Sequence, residues 1–117
     1  MAANALNTRV SFQNDVAVIE LSGEINAQAE ESINLAYQKV EVWKPKFILL
    51  ALANVNYINS TGIALIIGLL SRARKTQTRL MVCGLNDHYL EIFRITRLSD
   101  FIEIFPDEKA AIAHAGA

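Results

Sequence analysis

Cysteine is nearly absent: Cys83 is the only one in 117 residues. An internal disulfide is therefore excluded, and so is a zinc site built on thiolates. Long apolar runs are missing too. The longest, Phe47–Ala53 and Ile63–Ile67 continuing through Leu70, fall well short of the ~20 residues that a membrane-crossing helix needs. The opening MAANALNTR has neither the basic start nor the apolar stretch of a secretory leader, so a cytoplasmic protein with no membrane partner is expected. Neither sign of charge is in excess. Eleven basic and 12 acidic residues leave a net charge of −1, without the clustered basic surface by which proteins bind nucleic acid.

What is present is apolar. Hydrophobic residues make up 52% and charged residues 20%, the balance of a folded chain and not of a disordered one. The length suits one domain, large enough to bury a core without staples. No linker, repeat or low-complexity segment divides it, so residues 1–117 are read as a single domain.

Strand and helix patterns alternate along that domain. Val10–Gln13 and Val16–Leu21 flank Asn14-Asp15, a two-residue break that reads as a hairpin; Gly23 punctuates the chain after it. From Ala27 to Val42, Ala29, Ile33, Tyr37 and Val40 recur at helical spacing, with Glu30, Glu31, Gln38 and Lys39 on the solvent side. Pro45 closes this segment, and Trp43 and Pro45 are expected to cover an edge of the core. Phe47–Ala53 is a continuous apolar run, as in a parallel strand covered on both faces. A second helix fits Thr61–Lys75, with Arg72, Arg74 and Lys75 at the end where cations are favoured. Leu80–Gly84 is a further strand. Asp87–Arg97 follows as a helix burying Leu90, Ile92 and Phe93, with Glu91, Arg94 and Arg97 as a solvated face. Phe101–Phe105 is the last strand, and Pro106-Asp107 opens a helix through His114. The order β-β-α-β-α-β-α-β-α implies an α/β domain with a mixed, mostly parallel sheet and packed helices.

The segment Asn54-Val-Asn-Tyr-Ile-Asn-Ser-Thr-Gly-Ile63 lies after a buried strand and before a helix, where partner and ligand sites of α/β sheets concentrate. Asn59 or Ser60 suits the helix N-cap. Gly62 removes bulk from the first turn, allowing close approach by a partner or ligand. Ser60 and Thr61 thus place hydroxyls at the positive end of a helix dipole, where a phosphate meets unpaired N–H groups. Along the same helix, Ala64, Gly68 and Ser71 form a stripe of small side chains. It serves either a partner surface or tight internal packing. Ile63, Ile66, Ile67 and Leu70 are expected to face the core; Leu65 and Leu69 lie off that stripe and, if exposed, suit a protein interface.

Other chemistry finds little support. His88 and His114 lack the neighbours of a metal site and read as surface residues, and Cys83 reads as a small core side chain. Ser60 stands in no G-x-S-x-G elbow, and no phosphate loop occurs. No catalytic residue, metal or cofactor is therefore expected.

The segment Tyr-Ile-Asn-Ser-Thr-Gly-Ile, with Leu21-Ser-Gly-Glu-Ile-Asn26 upstream, resembles the bacterial anti-sigma factor antagonists of the STAS domain family. The resemblance spans about residues 8–113, including the element order. It implies a STAS-like fold and partner switching: Ser60 is the expected phosphosite, with Thr61 a second candidate. The implied partners are an anti-sigma factor that is also a serine kinase and a protein phosphatase that reverses the modification. Asn26, Asn59, Ser60, Thr61, Gly62, Ala64, Leu65 and Gly68 are the expected partner-binding residues. Asn26 and Asn59 stand where the family has Asp. Asn keeps the size and capping capacity but removes a negative charge on each side of Ser60, which either weakens contacts to a kinase's basic groups or eases the approach of a phosphate. Two rival readings are a STAS-type scaffold or adaptor without a sigma factor, and a small nucleotide-dependent enzyme.

Overall fold

The computed structural model describes residues 5–116. Five strands form one sheet in the order β1-β2-β3-β4-β5. β1 (Asn7–Gln13) pairs antiparallel with β2 (Val16–Ile25), and β3 (Phe47–Ile58), β4 (Arg79–Cys83) and β5 (Glu103–Phe105) continue in parallel. The hairpin break holds. Asn14 and Asp15 both adopt positive φ, 51° and 65°, as a two-residue turn with the strands' own twist demands.

Helices α1 (Glu30–Glu41), α2 (Ser60–Lys75) and α3 (Asp87–Ile95) follow β2, β3 and β4, and α4 (Glu108–Ala115) follows β5. Because spatial order equals chain order, right-handed crossovers lay α1, α2 and α3 on one face of the sheet. Their buried side chains join Ala17, Ile19, Leu21, Ile48, Leu50 and Leu52 in the main core. The opposite face is smaller: Val16, Val18, Leu49, Met81 and Cys83 pack against Ala111 and Ile112 of α4. β3 therefore has both faces covered, which is why Phe47–Ala53 reads as an unbroken apolar run.

Several details depart from expectation. β2 runs through Gly23 to Ile25; Gly23, at φ 112°, sits at a register shift within the strand and does not end it. β3 extends to Ile58, since pairing with β2 continues past the apolar run through Asn54, Val55 and Tyr57 to Ile58. The first helix opens as a 3-10 turn, Ala27–Ala29, before α1. α2 is rotated from its predicted facing: Ile67 is 46% exposed and Leu69 only 2%. The buried stripe is Gly62, Ile66, Leu69, Leu70 and Ala73. In α3, Tyr89 and Phe93 point inward and Leu90 is exposed. Pro45 is buried, while Trp43 is partly exposed and stacks edge-on against Phe12. Arg94 pairs with Glu91, whereas Arg97 turns away to Asp100 at 2.8 Å. Before β5, the chain makes a 3-10 turn, Leu98–Asp100, which leaves Phe101 exposed.

Candidate functional site

Two paired strands end side by side at Ile25 and Ile58, and each is followed by an asparagine in extended backbone. The Asn26 Oδ1 accepts from the Gln28 N–H at 3.0 Å, capping the 3-10 turn, and its Nδ2 donates to Glu24 at 3.4 Å. The Asn59 Oδ1 accepts from the Gly62 N–H at 2.8 Å. Asn59, not Ser60, is thus the N-cap of α2. Its own N–H donates to the Ile25 carbonyl at 3.2 Å, which ties the two strand ends together.

With Asn59 as the cap, Ser60 and Thr61 are the first two residues of α2, and both are exposed. Among the described residues, no side chain or backbone group bonds the Ser60 hydroxyl. The first turn of α2 carries no acidic residue, so nothing within it offsets the positive end of the helix dipole.

Gly62 plays a different part from the one expected. It is buried, and a Cβ built on it would stand 2.1 Å from the Ile25 carbonyl oxygen and 2.9 Å from the Ile58 side chain. The close approach that a glycine permits here is internal: α2 rests its first turn directly on the end of β2. This contact also sets the rotation of the helix, turning Gly62, Ile66 and Leu69 inward. Ser60, Ala64, Ile67, Gly68 and Ser71 are left along one exposed face.

The stripe of small residues is accordingly open. Nothing lies within 4 Å of a Cβ built on Gly68, so it does not serve tight internal packing. Leu65 is partly buried against the core at the margin of this face. Asn26, Asn59, Ser60 and Thr61 cluster at the strand ends, while Ala64 and Gly68 extend the surface along α2.

Sequence reasoning missed Tyr89. Its hydroxyl accepts a buried hydrogen bond from the Ile58 N–H at 2.8 Å, bracing the last residue of β3 from α3. Only an aromatic hydroxyl near a predicted helix start could have hinted at it.

A cavity of about 670 Å³ opens at the other end of α2, lined by Arg74, Thr78, Arg79 and Phe101 among others, and does not reach Ser60. Among the described residues, no group of three His, Cys, Asp or Glu side chains is placed to hold a metal, and no helix is long and apolar enough to cross a membrane. His88 and His114 are exposed, the latter 2.9 Å from Glu103, and Cys83 is buried.

The family model of the STAS domain matches residues 7–111. The anti-sigma-B factor antagonist of Listeria monocytogenes is 34% identical over 86 residues, covering 74% of this chain and 75% of that protein. Among solved structures, an anti-sigma factor antagonist from Mycobacterium paratuberculosis superposes with a TM-score of 0.86 at 20% identity, over 99% of this chain and 98% of that one. The Bacillus cell fate determinant SpoIIAA in its phosphorylated form superposes with a TM-score of 0.71 at 17% identity, over 92% and 98% of the two chains. These solved structures share the overall fold of the chain, and the chain belongs to the STAS domain family.

Proposed function

We propose that this protein is a cytoplasmic anti-sigma factor antagonist, a regulatory binding protein and not an enzyme. Unphosphorylated, it captures an anti-sigma factor serine kinase and so frees a sigma factor. Phosphorylation of Ser60 releases the kinase, and a phosphatase restores capture. Thr61 is a second candidate for the same modification.

The observation that carries this reading is the setting of Ser60: an exposed, unbonded hydroxyl on the first residue of α2, at the carboxyl end of a parallel strand. A phosphate there gains the helix N-terminus and adds about −1.5 to −2 charge to the surface. That surface comprises Asn26, Asn59 and Thr61 at the strand ends, Ala64 and Gly68 along α2, and Leu65 at its margin. Gly62, buried against Ile25 and Ile58, supports that surface from beneath. The names of the relatives support the same reading, since the Listeria protein is an anti-sigma-B factor antagonist.

Mass spectrometry of the protein from its native cells tests the proposal. Phosphate on Ser60, with loss of kinase capture in the modified fraction, is the expected result. Unmodified Ser60 under every growth condition would remove the switch.

A further inference from the structure

The two edges of the sheet are unequally protected. β5 is three residues long, whereas β1 has seven and is exposed at every position but Val10. Its register with β2 is continuous, without a bulge, it contains no proline, and Arg9 is its one charged side chain. Proteins ordinarily use those devices to blunt an edge, because its unpaired N–H and C=O groups are a template for another strand. Among the described residues, no strand pairs with the outer edge of β1.

The hairpin turn determines which backbone groups are free. Across a two-residue turn of this type, Gln13 and Val16 exchange both of their hydrogen bonds. By alternation Ser11, Arg9 and Asn7 do the same with Val18, Glu20 and Ser22. Thr8, Val10 and Phe12 therefore turn their N–H and C=O groups outward. Their side chains share one face of the sheet, where Val10 packs against the main core. Phe12, 49% exposed, stacks on Trp43, 42% exposed, at 5.4 Å between centroids.

We propose that the outer edge of β1 pairs antiparallel with β1 of a second copy, with Val10 on the two-fold axis. Thr8 then faces Phe12 of the partner subunit, and Thr8, Val10 and Phe12 each exchange both backbone bonds with their opposite number. A second copy fits this edge because the pattern is self-complementary about Val10, as a two-fold dimer requires. The net charge of −1 opposes association only weakly. Charge also selects the register. A slip that centred Arg9 would set it against the partner's Arg9, and like charges directly opposite are destabilising. With Val10 central, Arg9 faces the partner's Ser11 and keeps Glu20 of β2 as its neighbour. A slip that centred Ser11 would carry the outward groups of Thr8 into the partner's turn. The strand is about 24 Å long. The contact is confined to one seven-residue strand with Phe12 and Trp43 as its rim, far from the extended surface of an obligate pair, so the proposed dimer is a reversible one.

Sedimentation of the full chain across a concentration series, with amide hydrogen exchange on the same samples, tests this pairing. The expected mass rises with concentration toward twice the 13.0 kDa of the chain. The Thr8, Val10 and Phe12 amides should exchange slowly when concentrated and fast when dilute, while Arg9 and Ser11 stay slow throughout. Thr8→Pro removes only an outward N–H, so it should abolish the dimer and keep the monomer's circular dichroism. Should it disturb the fold, Phe12→Lys, at a half-exposed side chain, should also abolish the dimer. A chain monomeric at every concentration overturns the proposal. So does a dimer whose Thr8, Val10 and Phe12 amides always exchange fast, or one that survives a folded edge variant.

Discussion

The Tyr89 hydroxyl accepts a hydrogen bond from the Ile58 N–H at 2.8 Å, two residues before Ser60 in the chain. The bond is buried and joins α3 to the end of β3, across 31 residues of sequence. Tyr89→Phe keeps the ring and leaves a buried N–H without its partner, which costs about 1–3 kcal/mol. Urea unfolding should report a loss of that size, and amide exchange should quicken at Ile58 and Asn59. Unchanged exchange there would mean that α3 does not brace the segment leading to Ser60.

Gly62 and Gly68 should respond to alanine in opposite directions. At residue 62 the added Cβ meets the Ile25 carbonyl at 2.1 Å, so Gly62→Ala must push the first turn of α2 off the sheet. The expected cost is about 1–3 kcal/mol, the usual range for overpacking. At residue 68 the Cβ enters open space on an exposed helix, and Gly68→Ala should stabilise by about 0.5–1 kcal/mol through helix propensity. Thermal melts of the two variants beside wild type measure both signs.

Substitutions at Ser60 separate fold from switch. Its side chain is exposed, so Ser60→Ala and Ser60→Asp should both melt within about 0.5 kcal/mol of wild type. Ser60→Ala should accept no phosphate at this site yet still capture the kinase. Ser60→Asp places a permanent charge in the contact and should weaken capture on the order of 100-fold, equivalent to about 3 kcal/mol. Titration calorimetry with the purified kinase decides between them, and equal affinities would end the switch model.

Alkaline pH should destabilise the fold in a defined window. Burial, then the charges of Glu108 and Asp107, push the Cys83 thiol from 9.0 up to about 11. Burial and Glu41 push the Tyr37 hydroxyl from 10.0 up to about 12, partly offset by Arg72. Both groups are neutral when protonated, so raised folded values mean that the unfolded chain loses its protons first. Their contribution to stability is therefore complete below pH 9 and declines from there to about pH 12. Urea midpoints measured from pH 7 to 11 should be flat and then fall. The folded protein should also resist thiol alkylation at pH 8, reacting much more slowly than in denaturant.

The residues themselves determine the alternation of strands and helices. Its signals are local: the two-residue break at Asn14-Asp15, the helical recurrence of Ala29, Ile33, Tyr37 and Val40, and the unbroken run at Phe47–Ala53 each reflect a burial pattern repeating within a few residues. The position of Ser60 at a strand–helix junction is legible on the same terms. Tertiary structure alone decided how far β3 runs, because Asn54 has little strand propensity and extends only as β2 continues beside it at Ser22. It also decided that Ile67 faces out and Leu69 in. Both are large and apolar, and helical spacing tolerates a turn of one position until Gly62 is seated on Ile25. The inward roles of Gly62 and Tyr89 are invisible in one dimension for the same reason. Each depends on a contact with a strand distant in sequence, and such a contact leaves no periodic trace in the chain.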